Sequence, residues 1–506
     1  MRLARVVRAS GEAAATRSRK AKVQALAAVL GEVEPAETEV AAAYLSGRLL
    51  QRRTGLGWRS LAVLPPPADE PSLELREVHE ALERISVLAG PGSQAARAAA
   101  VESLLRRATA AEQEWLRAVL TGQVRQGALD AVLQEAVAQA AGIPVTLVRR
   151  AAMLSGSTVE VATVALREGA DALDRIGLTV GRPVLPMLAS SAPAVAAAMT
   201  KAAPGRAAGI DTKLDGIRIQ VHRRGDDVRI WTRSLDEITA RLPEVVEAVG
   251  SLAADDLVLD GEALLLGPDG RPRAFQETAS RVATAGGDLQ VTPYFFDVLH
   301  ADGHDLLDSP ASRRWQVLAD LVPERHLAPR LVTDSEEEAA AFLAAALQAG
   351  HEGVVVKDPE ATYAAGRRGA SWVKVKPVHT LDLVVVAVEW GSGRRKGRLS
   401  NIHLAARDGD SLVLLGKTFK GMTDEMLAWQ TERFTELATS PVDGSSYVVS
   451  LRPEQVVEVA LDGVQRSPRY PGGVALRFAR VVRYRDDKGP EEADTLETVR
   501  ALLPPS

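Results

Sequence analysis

The chain has no cysteine among its 506 residues, which excludes disulfides and any cysteine-ligated zinc site. Long apolar runs are missing as well: none reaches the roughly eighteen residues that a membrane-spanning helix needs. Nor is Met1-Arg2-Leu3-Ala4-Arg5 followed by an apolar core of signal-peptide length. These absences lead us to expect a cytoplasmic protein without membrane contact. There is no basic excess either, since 61 Lys+Arg stand against 66 Asp+Glu for a net charge of −5. Composition alone therefore does not announce nucleic-acid binding. The charge is unevenly spread, however. Residues 364–420 hold eleven Lys/Arg against four Asp/Glu, while 251–262 and 333–338 are acidic. A basic face on an acidic protein suffices for phosphate contacts, although a solvated charged surface explains the same pattern.

What is present is ordinary for a folded protein: 46% apolar and 25% charged residues, in a chain long enough for roughly two to four domains. Residues 1–180 read as helices rich in Ala, Leu, Val and Arg. Val23, Leu26, Ala27 and Leu30 share one helical face, as do Leu129, Val132, Leu133 and Val137. Pro65-Pro66-Pro67 marks a loop or stiff linker. Two glycine-basic clusters, Gly47–Gly57 and Thr121–Gly127, punctuate the helices and could bring backbone N–H groups to phosphate. Near Gly181-Arg182-Pro183 the texture changes to strands joined by Asp-Gly turns at 215–216, 260–261 and 269–270. After Pro377 a further strand-rich unit begins with the apolar run Leu381–Val388. We expect domains at 1–180 (all-α), 181–378 (α+β with antiparallel sheets) and 379–506 (a small β-barrel).

The stretch that carries the chemistry is Lys213-Leu214-Asp215-Gly216-Ile217-Arg218, followed by strand-like alternation. A lysine can attack phosphorus only when its amine is uncharged, so its site must favour that form; Arg218 or a bound metal could do so. Read alone, the stretch serves equally well as an Asp-Gly hairpin turn with a surface lysine.

The stretches that follow, taken in order, support the chemical reading. Lys213–Arg218 resembles motif I of the covalent nucleotidyltransferases, and the chain is similar to the ATP-dependent DNA ligases. Arg233-Ser234, Leu259-Asp260-Gly261-Glu262, Tyr294–Leu299, Glu352–Lys357, Trp372–Lys376 and Arg477–Lys488 resemble the remaining motifs in the family's order. The resemblance runs from about residue 20 to the C-terminus. It implies a helical DNA-binding domain, an adenylation (nucleotidyltransferase) domain and a C-terminal OB-fold β-barrel. The activity implied is sealing of nicks in duplex DNA through lysyl-AMP, then 5′-adenylated DNA, with ATP and Mg²⁺ as cofactors and a monomer as the working form. The missing cysteines separate the chain from NAD-dependent ligases, which typically carry a four-cysteine zinc finger.

By resemblance, Lys213 is the nucleophile. Asp211 stands where a glutamate usually helps recognise the adenine amino group, which leaves the strictness for ATP open. Arg218 would hold the ribose and phosphate side of the nucleotide, and Arg233 the ribose and the nick phosphate. Glu262 and Glu352 would bind Mg²⁺ or ribose hydroxyls, and Phe296 would stack on adenine. Arg368, Lys374 and Lys376 would neutralise the α-phosphate. Arg480, Arg483, Arg485 and Lys488 would orient the leaving pyrophosphate. Individually, Glu262 could be an exposed turn residue, Phe296 a core aromatic, and Lys374 and Lys376 one solvent face of a strand.

Three other features are set aside. Gly416-Lys417-Thr418 lacks the first glycine of a phosphate loop. His300–Asp305 reads as a turn after a buried strand. Gly391–Gly397 opens no helix, and its Arg394-Arg395-Lys396 fit DNA phosphates better. The rival readings are an RNA ligase or GTP-using capping enzyme, which share several motifs, and a non-catalytic DNA-binding scaffold.

Overall fold

The computed structural model describes the chain except residues 52–53, 125, 128, 284–288, 365–367, 393–394, 445 and 504–506, and except the side chains of Arg59, Leu129 and Arg368. Among the described residues, ten α-helices lie between Leu3 and Asp174. Helix Arg19–Glu32 begins where the Ser18 hydroxyl accepts a hydrogen bond from the Ala21 N–H, and it buries Val23, Leu26, Ala27, Val29 and Leu30. That cap satisfies one of the free donors of the first turn. The buried stripe is the expected one with Val29 added, and it packs on helix Leu129–Ala141, which buries Val132, Leu133 and Val137. Each leucine so removed from water contributes about 1.5–3 kcal/mol. Arg52, Arg53 and Arg125 of the two glycine-basic clusters lie outside the described residues. Among those described, no helix is long and apolar enough to cross a membrane.

Two sheets follow. The first has the strand order Leu188–Ser191, Arg368–Val375, Gly353–Lys357, Ala208–Lys213, Arg330–Thr333; the second runs Asp227–Thr232, Ile217–Arg224, Asp256–Leu265, Val291–Ala301, His304–Asp305. The second is antiparallel throughout. The first departs from the expectation by one parallel pair, Leu188–Ser191 on Arg368–Val375. The chain crosses between the sheets within four residues, ending one strand at Lys213 and starting the next at Ile217. Gly216 makes that crossing possible, because a Cβ there would lie 2.3 Å from the Ala263 carbonyl oxygen. His300 and Asp305 bond across the expected turn at 2.6 Å.

The helical unit packs on this region through Met153 and Leu154, which share a cluster with Val180, Val184, Met187, Leu299 and Trp372. Arg150 grips Asp308 with two bonds of 2.7 Å.

In the C-terminal unit the order is Ser411–Thr418, Leu399–Asp408, His379–Trp390, Val456–Leu461, Arg480–Arg485, with Val448–Ser450 also pairing His379–Trp390. The expected barrel is not closed by a ladder: among the described residues no strand pairing joins Ser411–Thr418 to Arg480–Arg485. The edges meet instead through a backbone bond from Val481 N–H to Lys420 O of 2.9 Å and one from the Thr418 hydroxyl to Ala479 O of 2.6 Å. Helix Asp424–Leu437 fills the space with Leu427, Phe434 and Leu437. A two-stranded hairpin, Gly463–Arg466 with Val474–Arg477, packs on this unit's core through Val464 and Val474.

Candidate active site

A cleft of about 720 Å³ opens where the two sheets face each other, within the usual size range for small-molecule sites. Lys213, the last residue of its strand, pairs in register with Gly353. The Glu352 N–H donates to the Lys213 carbonyl at 3.1 Å, so Glu352 is fixed directly opposite the lysine. Gly353 permits this at φ +146, where a Cβ would sit 2.2 Å from the Val375 oxygen. Lys213 Nζ donates to Glu352 Oε2. With side chains 21% and 17% exposed, the pair is largely shielded from bulk water, and Lys213 lines the cleft. The group nearest the amine is therefore a carboxylate, not the cation expected from the sequence. Glu352 gives its other oxygen to Lys376 at 3.0 Å. Burial would raise its pKa, but the two lysines outweigh that and hold it below the usual carboxylate range.

Arg218, Arg233, Glu262, Phe296 and Lys374 all line the same cleft. Glu262 accepts from the Gly216 N–H at 3.2 Å. Its burial, opposed by Lys213 and Arg218, pushes its pKa up to about 7. Arg218 is committed in large part to the protein. It forks onto Asp260 at 3.0 and 2.7 Å and donates to the Met187 carbonyl at 2.7 Å, while its guanidinium lies 5.5 Å from the Phe296 ring centre. The Tyr363 hydroxyl donates to the same Asp260 at 2.7 Å.

At the aromatic end of the cleft Phe296 and Trp372 meet edge to face, with centroids 5.9 Å apart. Lys357 Nζ lies 4.6 Å from the first ring and 4.2 Å from the second. It is also 2.6 Å from Asp211 Oδ2. Arg330 Nη2 bonds the same Asp211 oxygen at 2.7 Å and its Nε bonds the other. Burial would raise the Asp211 pKa; Arg330 and Lys357 outweigh it and keep the carboxylate ionised.

The motif VI cations are distributed differently from the expectation. Arg483 donates to Glu458 at 2.8 Å and Lys488 to Asp382 at 2.7 Å, both within the C-terminal unit. Arg485 also binds Asp382, at 3.0 Å. None of the three lines the cleft. Arg480 reaches it only indirectly, through Asp462 at 3.4 Å, which in turn accepts from Lys376. The residue that does reach motif I is Arg477, 3.1 Å from Asp215 Oδ2. The Arg368 side chain lies outside the described residues.

Sequence reasoning missed Lys357, Arg330, Asp260, Tyr363, Arg477 and Asp462. Lys357, Asp260 and Arg477 lay inside quoted motifs, which was a usable signal. Arg330 and Tyr363 carry no local signature.

Three family models match the chain: "ATP dependent DNA ligase domain" over 186–376, "ATP dependent DNA ligase C terminal region" over 395–488 and "DNA ligase N terminus" over 59–138. A "Probable DNA ligase" of Nocardioides sp. is 65% identical, covering 99% of both chains. "DNA ligase B" of Mycobacterium tuberculosis is 56% identical, over 97% of this chain and 98% of that one. Among solved structures, "Pmar-Lig_PreS3" shares the fold with a TM-score of 0.62 at 19% identity, covering 95% of this chain and 99% of its own. With relatives this similar over nearly their whole length, the chain belongs to the ATP-dependent DNA ligase family.

Proposed function

We propose that the chain seals nicks in duplex DNA using ATP, through an adenylate carried on Lys213. It would work as a cytoplasmic monomer built from units 1–180, 181–378 and 379–506. The observation that carries this reading is Lys213, bonded to Glu352, lining a cleft with an aromatic end and a cationic wall.

In the first step uncharged Nζ attacks the α-phosphorus of ATP; a P–N bond forms and the bond to pyrophosphate breaks. Glu352 aims the amine, and the proton that nitrogen loses as the P–N bond forms passes to solvent. Lys374, Lys376 and Arg368 counter the charge that grows on the α-phosphate, and Arg233 holds the ribose and, later, the nick phosphate. In the second step an oxygen of the 5′-phosphate at the nick attacks the same phosphorus. The P–N bond then breaks and the nitrogen recovers a proton. In the third, the 3′-hydroxyl attacks the 5′-phosphorus, AMP leaves with the bridging oxygen, and the strand is closed.

Phe296 stacks on the base. Asp211 and Lys357 place an acceptor beside a donor at that end, the pattern that matches N6–H and N1 of adenine and opposes O6 and N1–H of guanine. Arg218 contributes mainly by fixing this wall and has little of its fork left for the ribose.

Mg²⁺ is assigned to Glu262. Such ions use one or two carboxylates together with substrate phosphates, and Glu352 already gives both oxygens to lysines. Among the described residues no cluster of three metal-binding side chains exists, so the triphosphate would complete the shell. The ion would offset phosphate charge. Arg480, Arg483 and Lys488 reach the pyrophosphate only if the C-terminal unit reorients, freeing them from Asp462, Glu458 and Asp382.

The test is incubation with α-labelled ATP. An acid-labile, base-stable adduct should form on the wild-type chain and be absent from Lys213→Ala; a K213A protein that still seals nicks overturns the reading.

A further inference from the structure

Asp462 lies between the strand Val456–Leu461 and the hairpin that begins at Gly463. Its backbone N–H donates to the Arg477 carbonyl at 3.0 Å, so its position is set by the hairpin. One carboxylate oxygen accepts from Lys376 Nζ and the other faces Arg480 at 3.4 Å. Lys376 belongs to the adenylation domain and gives a second N–H to Glu352. Its remaining side lies toward the Phe478 ring, 5.8 Å away. A line of alternating charges results: Lys213, Glu352, Lys376, Asp462, Arg480. The hairpin is docked beside this line, with Arg477 on Asp215 and Gln465 accepting from Gln276.

An ammonium has three donors, and Lys376 has committed two of them to carboxylates from different domains. Only one of those carboxylates can leave when the C-terminal unit moves. Glu352 is fixed to the strand that faces Lys213, whereas Asp462 travels with the hairpin. Docking of the hairpin therefore decides how much of the Lys376 charge remains for a phosphate at Lys213.

We propose that Asp462 is a positioning residue which holds Lys376 while the hairpin is docked, slowing adenylation of Lys213 and favouring the later steps on DNA. This rests on the reading above that Lys376 counters charge on the α-phosphate. With Asp462 neutralised, Lys376 turns to the nucleotide and the first step accelerates. The docked arrangement loses one of its cross-domain ties, so sealing slows. The two rates move in opposite directions, which general damage to the fold does not produce.

The experiment uses the full chain with Asp462→Asn, which keeps size and one acceptor oxygen, and Asp462→Ser as a second variant. Two single-turnover rates are compared: formation of labelled protein-adenylate from α-labelled ATP without DNA, and sealing of a pre-adenylated nick by unadenylated protein. The first should rise roughly three- to tenfold and the second fall by a similar factor, since tenfold is about 1.4 kcal/mol of differential interaction. Both rates unchanged, or both reduced together, overturns the proposal. Lys376→Ala separates it from its premise. If K376A is adenylated at the normal rate, the phosphate role of Lys376 fails and takes the proposal with it. If K376A is slow and D462N is unaltered, only the proposal fails.

Discussion

Arg477 Nη1 lies 3.1 Å from Asp215 Oδ2, joining the C-terminal hairpin to the turn that follows the nucleophile. The side chains are 21% and 29% exposed, which places the pair between two regimes. Exposed ion pairs contribute about 0–1 kcal/mol, and breaking a buried one costs about 3–5 kcal/mol. We predict that Arg477→Ala weakens hairpin docking by about 1–2 kcal/mol and lowers single-turnover nick sealing roughly tenfold. Charging of Lys213 by ATP should not slow, because that step takes place at the other side of the turn. Equal loss in both steps would show that Arg477 serves the fold rather than the docked state.

Glu262 supplies the pH dependence. Its pKa is pushed from 4.5 to about 7 by burial, with Lys213 and Arg218 opposing. A carboxyl whose folded pKa is raised binds its proton more tightly in the folded chain than in the unfolded one. Ionising it therefore destabilises the fold as pH rises from about 4.5 to 7, and the penalty is constant above that. Glu262→Gln should match the wild type below about pH 4.5 and exceed it above pH 7 by about 1–3 kcal/mol. Chemical denaturation across that range measures the difference. The ATP-charging rate should fall in E262Q, because the carboxylate proposed to hold Mg²⁺ is gone. A stability difference that does not depend on pH would remove Glu262 as the titrating group.

Part of the site was legible because glycines mark it: Asp215-Gly216 and Glu352-Gly353 stand where a Cβ would meet a carbonyl oxygen. The turn expected at Asp260-Gly261 is not one, since both residues lie inside the strand Asp256–Leu265 and pair with a strand on each side. The residues that escaped notice meet through strand register and side-chain reach, which a single chain does not display. Arg330 finds Asp211 across the Ala208–Lys213/Arg330–Thr333 ladder. Tyr363 comes from a loop to reach Asp260. The motif VI cations have carboxylate partners in the C-terminal unit that no stretch of sequence displays. The pairing of Val456–Leu461 with Arg480–Arg485 shifts between Glu458 and Val459, so Glu458 faces Arg483 while Val459 faces Val481. Such an irregularity breaks two-residue alternation, so the sequence does not show which side chain faces which. The closed barrel failed for a related reason. Alternation marks strands but says nothing about whether two edges pair.

Gly216→Ala tests the crossing between the sheets. The added methyl would meet the Ala263 carbonyl at 2.3 Å, and Leu264 and Glu262 side-chain atoms at 2.9 and 3.0 Å. Backbone cannot yield cheaply, so the turn must open and carry Lys213 away from the opposite wall. Overpacking of this kind costs typically about 1–3 kcal/mol. A displacement near 1 Å at a reacting group can cost about a hundredfold in rate. We expect a folded protein, slightly less stable, that charges with ATP about a hundredfold more slowly. Normal charging would mean that the turn is not what positions the amine.

Lys357→Met addresses the base. Methionine fills similar volume between Phe296 and Trp372 but removes the cation 2.6 Å from Asp211. Arg330 still compensates the carboxylate, so the loss should fall below the roughly 3–5 kcal/mol of an abandoned buried charge; about 1–3 kcal/mol is expected. The KM for ATP in the charging step should rise, and the preference for ATP over GTP should narrow, because the donor that opposes guanine N1–H is gone. An unchanged ATP/GTP ratio would confine Lys357 to a structural role.

The basic loop between His379–Trp390 and Leu399–Asp408 yields the last expectation. Arg394 lies outside the described residues, but Arg395 and Lys396 do not. The Arg395 guanidinium rests 5.0 Å from the Phe419 ring centre and its Nη1 is 3.4 Å from the Ser400 hydroxyl. These contacts hold the side chain against the sheet. Each phosphate neutralised on duplex DNA contributes about 0.9 to the slope of log K against log salt. Replacing Arg395 and Lys396 together by alanine should flatten the slope for nicked-duplex binding by roughly 2 if both meet phosphates. Charging by ATP in the absence of DNA should stay as it was. A loop that is merely a solvated charged surface leaves the slope where it is, so the salt titration alone separates the two readings.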